Sequence, residues 1–365
     1  MTGYIPAGLK TVHDKVINGG RITAEEGLLL YNTKNPGLIG YLADMVRRKK
    51  NGDRAYFNRN FHIEPTNICI YNCEFCSYRK NAGSPEAWNH SATEILDIVR
   101  RFDDKPVTEV HIVGGVHPNH DIEYYCRILR MIREHRPGLH IKAFSAIELD
   151  YIINKSGLSI REGLIKLKEC GLDSIPGGGA EIFDEKIRAK ICRDKSSSEM
   201  WLKIHEEAHN AGIPSNATIL YGHMETYEHR IDHMERLRRL QDRTGGFNSF
   251  IPLKFKKENN RMKKYGEVNI VEDMKNYAVS RIFLDNFPHI KAYWPALGKE
   301  STQLALSFGV DDVDGTIDGT TRIYSMAGAQ DQNPSMNTEE ICKLIRAVGY
   351  VPVERDTLYN IVKKW

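Results

Sequence analysis

From residue 61 onward, short runs rich in β-branched and aromatic residues alternate with stretches whose apolar positions recur every three to four residues. The runs at 61–66, 107–113, 139–145, 172–176, 213–220, 247–254 and 289–295 predict strands, with a less marked eighth at 310–314. The stretches between them predict helices. Ile95, Leu96, Val99 and Phe102 form one apolar stripe behind a Ser91/Glu94 capping box; Tyr125, Ile128, Leu129 and Ile132 form another. Gly171 and Gly212 stand just past helical stretches, where a left-handed residue ends a helix. Repeated strand–helix units imply parallel strands joined by right-handed crossovers. The pattern predicts an α/β fold, a TIM-barrel-like (β/α) barrel, with a doubly wound open sheet as the alternative.

The flanks read differently. Residues 1–60 form a helical lead-in, with a Thr23/Glu26 capping box and an amphipathic helix from Ile39 to Lys50 that ends in basic residues. At the other end Asn337 and Glu340 cap a helix whose apolar face is Ile341, Leu344, Ile345 and Val348. The expected division is a lead-in at 1–60, a barrel core at 61–315 and a C-terminal extension at 316–365.

Composition narrows the class. The chain has 365 residues, 41% hydrophobic and 27% charged, with a net charge of +3, the mix of an ordinary globular protein. That balance points to neither a nucleic-acid nor a membrane partner. The N-terminal text has no apolar run after a basic start, and no stretch reaches the ~18 apolar residues of a membrane span. The expected location is the cytoplasm.

Seven cysteines are present, an odd number in a long chain, so a disulfide framework is not expected. Cys126, Cys170 and Cys342 lie in helical patterns and read as small buried hydrophobes. Cys69, Cys73 and Cys76 crowd together as C-x3-C-x2-C directly after the first strand, with no fourth cysteine close by in the sequence. In a barrel, that loop lies at the C-terminal face where sites are built. Three readings compete: unrelated buried cysteines, a zinc site completed by His62 or His90, or an iron–sulfur cluster with one iron left open.

The cysteine spacing with an aromatic at Phe75 resembles the signature of the radical S-adenosylmethionine (SAM) superfamily. The resemblance implies a [4Fe-4S] cluster on Cys69, Cys73 and Cys76, SAM chelated at the open iron, and an electron donor such as flavodoxin or ferredoxin. It suggests SAM contacts from the ends of successive strands: Phe75, the backbone of Gly114 and Gly115, Ser145, Glu148, Glu181 beyond Gly177-Gly178-Gly179, and Arg193. Plainer readings stand beside these: a tight turn at Gly114-Gly115 and a helix cap at Ser145 and Glu148. Asn216, Thr218, His223 and Glu225 are candidate substrate contacts, with surface-loop positions as the alternative. The basic run Lys254–Lys264 reads as a solvated loop or a steering patch for an anion. No catalytic acid or base can be singled out.

Four blocks extend the likeness along residues 20–360: His62–Cys69, Val113–Pro118, Lys142–Glu148 and Pro176–Glu181. They resemble the aminofutalosine synthase family of the futalosine route to menaquinone. That resemblance implies transfer of the 5′-deoxyadenosyl group to 3-[(1-carboxyvinyl)oxy]benzoate, giving 6-amino-6-deoxyfutalosine and methionine. The small substrate carries carboxylates, for which Arg193, Arg79 and Lys80 are candidate partners. A dehypoxanthine futalosine cyclase, an FO-synthase-like enzyme, and a non-catalytic metal-binding scaffold remain the alternatives.

Overall fold

A computed structural model describes residues 7–365. The first six residues, which open the segment read as lacking a signal peptide, lie outside the described residues. Strands β1 (Arg54–Ile63), β2 (Glu109–Ile112) and β3 (His140–Ala143) pair in parallel. Single parallel bridges Lys142↔Ser174 and Ile175↔Ser215 carry the sheet to β4 (Ser215–Tyr221). β4 then pairs with β5 (Phe247–Lys254), and β5 with β6 (His289–Ile290). A Lys291↔Asp312 bridge leads to β7 (Asp312–Ile317), which returns to β1. The ring is closed and every link in it is parallel.

Several boundaries differ from the sequence pattern. β1 starts at Arg54, so the expected division at 60/61 falls inside a strand, and that at 315/316 falls inside β7. The segment 172–176 contributes only its two single bridges. The faint eighth run is a true strand and forms the seam of the barrel. The C-terminal extension adds more than its helix Thr338–Arg346: β8 (Val351–Arg355) pairs with the N-terminal half of β1, and β9 (Ile361–Lys364) folds back antiparallel on β8.

Alternation explains both faces of the ring. Phe57, Phe61, Ile63, Val110, Ile112 and Ile141 are buried against the surrounding helices; Phe61 stacks on Phe102 with centroids 4.0 Å apart. Each such side chain contributes roughly 1.5–3 kcal/mol of transfer free energy. The residues between them, Asn58, Asn60, His62, Glu109 and Lys142, are equally buried but polar. Gly315 is required at the seam: a Cβ there would meet Asn60 Oδ1 at 2.3 Å and Asn58 Oδ1 at 2.4 Å. The anticipated capping boxes at Thr23, Ser91 and Asn337 are all formed. Gly171 and Gly212 take φ of 119° and 68°. Among the described residues no helix is long and apolar enough to cross a membrane.

Candidate functional site

β1 runs into a loop that is held along most of its length. Thr66 Oγ1 donates to Trp88 O (2.8 Å), Asn67 Nδ2 to Glu86 O (2.9 Å), and Tyr78 OH to Thr66 O (3.0 Å). Gly115 N donates to Thr66 O (2.7 Å) and Ile70 N to Val116 O (3.0 Å), tying the loop to the end of β2. Thr66 and Asn67 therefore act as scaffold for the three cysteines that follow.

Cys73 is buried, and Cys69 and Cys76 are half-buried. Burial pushes the Cys73 thiol up to about 12 and raises Cys69 as well. A nearby metal reverses that preference, because a coordinated thiol is deprotonated. Cys76 N donates to Cys73 O (3.2 Å), and ionisation of Cys76 would raise the Cys69 and Cys73 thiols further, so the three are neighbours. Among the described residues no three His, Cys, Asp or Glu side chains converge on a single ion position. A cubane does not require such convergence, since each thiolate binds a different iron. Cys192, remote in sequence, is also near enough that its ionisation would raise the Cys73 thiol. The spacing of cysteines along the chain gives no sign of this proximity.

Beside the loop a cavity of about 310 Å³ opens down the barrel axis. Phe75, Cys76, Gly114, Ser145, Glu148 and Glu181 line it, together with Asn216 and Thr218. Gly115 does not. A Cβ there would stand 2.3 Å from Ile68 O, so its lack of a side chain serves loop packing. Ser145 and Glu148 form the anticipated capping box of the helix Ala146–Lys155 and face the cavity as well. Glu148 also accepts from Gly114 N at 3.2 Å. Despite three donors, burial pushes its carboxyl up to about 7.

Arg193 is exposed and outside the cavity. The basic residue that does reach it is Lys195, bonded to Glu181 at 2.7 Å and 5.2 Å from the Phe75 ring centre. His223 and Glu225 have fully buried side chains but do not line the cavity. Glu225 accepts from Gly222 N, His223 N and Arg230, so it builds the turn after β4. Arg79 donates to Cys69 O (3.1 Å), and Lys80 pairs with Glu86. His90 lines a separate polar cleft with Arg101 and Arg322. In the basic run, Lys254, Lys256, Arg261 and Lys263 are paired with Asp273, Glu267, Glu74 and Glu258. Arg261 also donates to Asn72 O, so this run latches onto the cysteine loop.

Sequence reasoning missed the lower half of the cavity, apart from naming His62 as a candidate zinc ligand. His62, Glu109, His111, Lys142, Lys291 and Asp314 line it, with Tyr293 and Tyr324 above them. Their signal was a run of polar residues at the inward-facing positions of β1, β2, β3 and β7. Glu181 and Asp314 also hold left-handed backbone, φ 48° and 69°, a strained geometry common where side chains are positioned for function.

Comparison with known proteins agrees with this site. The model for the "Radical SAM superfamily" matches residues 63–237, and that for the "CofH/MqnC C-terminal region" matches 244–364. Aminodeoxyfutalosine synthase of Thermus thermophilus is 44% identical, covering 100% of this chain and 99% of that one. The Streptomyces coelicolor aminodeoxyfutalosine synthase is 39% identical, with 98% and 95% covered. The cyclic dehypoxanthine futalosine synthase of the same organism is 36% identical, with 97% and 89% covered. The fold is shared with the crystal structure of HydG, a maturase of the [FeFe]-hydrogenase, at a TM-score of 0.75, 17% identity, and 94% and 75% covered. A cysteine-bearing loop at the mouth of a closed parallel barrel, matched in sequence along the whole chain, places this protein in the radical SAM superfamily, among the aminodeoxyfutalosine synthases.

Proposed function

We propose that this radical SAM enzyme joins the 5′-deoxyadenosyl group of SAM to 3-[(1-carboxyvinyl)oxy]benzoate with uptake of one water, giving 6-amino-6-deoxyfutalosine, methionine and bicarbonate. The observation that carries the reading is the 44% identity to an aminodeoxyfutalosine synthase over the full length of both chains. The cofactors of the superfamily are a [4Fe-4S] cluster and SAM, and SAM is consumed here as co-substrate. Cys69, Cys73 and Cys76 would hold the cluster: three thiols on one anchored loop leave one iron corner for SAM. When bound and reduced, the cluster supplies the electron that splits SAM.

The chain's own residues position the reactants. SAM would lie at the cavity mouth across Phe75, Gly114, Ser145, Glu148 and Glu181, with Lys195 screening the Glu181 carboxylate. Asn216 and Thr218 sit deeper, on the inward face of β4. Thr218 Oγ1 donates to Gly177 O (2.6 Å), fixing the glycine run against the strand. Leu220, Ile251 and Leu253 wall the cavity with apolar surface that excludes water. A cytoplasmic setting and an electron donor such as flavodoxin or ferredoxin belong to the same reading.

The test is anaerobic incubation of reconstituted protein with SAM, reductant and the enolpyruvyl benzoate. A single adduct holding both adenine and the benzoate-derived ring supports the proposal. Free 5′-deoxyadenosine as the sole adenosyl product overturns it.

A further inference from the structure

The cavity floor is unlike the interior of most β/α barrels, which branched apolar side chains fill. His62, His111 and Lys142 are register partners on three adjacent strands, so their nitrogens stand side by side. Lys291 joins them from the end of β6. Both lysines already have acids: Lys142 bonds Glu109 at 2.6 Å, and Lys291 bonds Asp314 at 3.2 Å. The two imidazoles do not. Their rings are 4.6 Å apart, and among the described residues neither Nε2 has a hydrogen-bond partner. Burial keeps both uncharged at neutral pH, His62 at about 4 and His111 well below its usual value. A buried donor or acceptor without a partner costs free energy, so two on one cavity floor point to a ligand group that supplies the missing bond.

Above the floor the chemistry changes. On β5, Ile251 and Leu253 stand one and two inward positions beyond Ser249. With Tyr293 and Tyr324 they give the middle of the cavity an apolar and aromatic wall. The glycine run and the cysteine loop form the polar mouth. The order from floor to mouth is nitrogen donors, aromatic surface, then the SAM region. An aryl acid has the same order, with its carboxylate down and its reactive end up.

We infer that His62 and His111, backed by Lys142 and Lys291, seat the carboxylate on the aromatic ring of the substrate and so fix which aryl ether is accepted. This rests on the function proposed above and names the end of the substrate that the floor holds. The imidazole N–H groups donate to the carboxylate, and the two lysine pairs supply nearby positive ends.

The experiment compares 3-[(1-carboxyvinyl)oxy]benzoate with 2-phenoxyacrylate, which lacks the ring carboxylate. In His62→Phe and His111→Phe, KM for the benzoate should rise by about 10- to 100-fold, the loss of a charge-assisted hydrogen bond. Its kcat and the KM for 2-phenoxyacrylate should change little. Equal losses on both compounds, or no loss on the benzoate, overturn the assignment. Iron content and SAM cleavage without substrate report whether each variant is folded, and His62→Gln replaces any that is not. If the wild type does not convert the enolpyruvyl benzoate at all, the proposed reaction fails separately. The seat is then judged by calorimetry with 3-methoxybenzoate: binding lost in both histidine variants upholds it, and histidine-independent binding or none overturns it.

Discussion

The Cα of Gly115 lies so close to the Ile68 carbonyl that a Cβ added to it would stand 2.3 Å from that oxygen. The obstacle is backbone, which cannot rotate away as a side-chain tip can. Gly115→Ala should therefore push the cysteine loop off the end of β2 and cost about 2–4 kcal/mol, at the high end for a single substitution. Thermal unfolding and iron content after reconstitution check this. Gly83→Ala, with nothing within 4 Å of its Cβ, is the control and should behave as wild type.

The cysteines divide into two groups with different expected behaviour. Cys73→Ala should abolish the visible iron–sulfur absorption and all SAM cleavage. Cys342→Ala, in the helix Thr338–Arg346, should leave both intact and cost only packing free energy, on the order of 1 kcal/mol. SAM cleavage by the Cys73 variant at wild-type rate would remove the cluster from this loop.

Lys195 and Arg193 are two residues apart, yet only one faces the cavity. Removing one partner of a mostly buried ion pair leaves the other uncompensated, typically at about 3–5 kcal/mol when both are fully buried. Lys195→Met should thus lower stability by a few kcal/mol and cut turnover at least ~10-fold by disordering Glu181. Arg193→Ala should change kcat/KM by less than about twofold, since exposed substitutions seldom exceed ~0.5 kcal/mol. Comparable losses from both would show that charge near the mouth matters more than the Lys195–Glu181 contact.

Glu64 gives a pH prediction with a definite sign. It accepts from Thr321 Oγ1 (2.7 Å) and Arg322 N (2.9 Å), both on Oε1. Burial still pushes its carboxyl up to about 7 from 4.5. Between those values the folded protein binds more protons than the unfolded chain, so stability falls as pH rises through that window. Glu64→Gln can keep both bonds without the charge. Its advantage over wild type should grow from pH 5 to pH 8 by up to ~3 kcal/mol, at 1.36 kcal/mol per unit. Denaturant melts at the two pH values measure it, and parallel profiles would contradict the assignment.

The upper half of the site was legible because motif and strand ends coincide there: Phe75, Gly114, Ser145, Glu148 and Glu181 all line the cavity. The lower half was hidden by the same physics that makes it useful. Sequence patterns identify strands by apolar residues, but Asn58, Asn60, Asp312 and Asp314 face a polar interior. β1 therefore seemed to begin late, and β7 to be barely a strand. Arg193 was singled out and Lys195 passed over, because linear spacing does not reveal which side of a turn faces inward. His223 and Glu225 were drawn to the mouth by their place after β4, whereas their partners turn them into the protein.

The seam between β1 and β7 also bears on how the chain is made. Strands whose pairing residues lie more than 250 positions apart, as Tyr56 and Asp312 do, cannot meet until nearly the whole polypeptide has left the ribosome. Until then the nascent sheet has two open edges, a state prone to intermolecular pairing. High-contact-order closure of this kind is slow, so expression at lower temperature or with chaperones should raise the yield of intact protein more than any change near the cysteines.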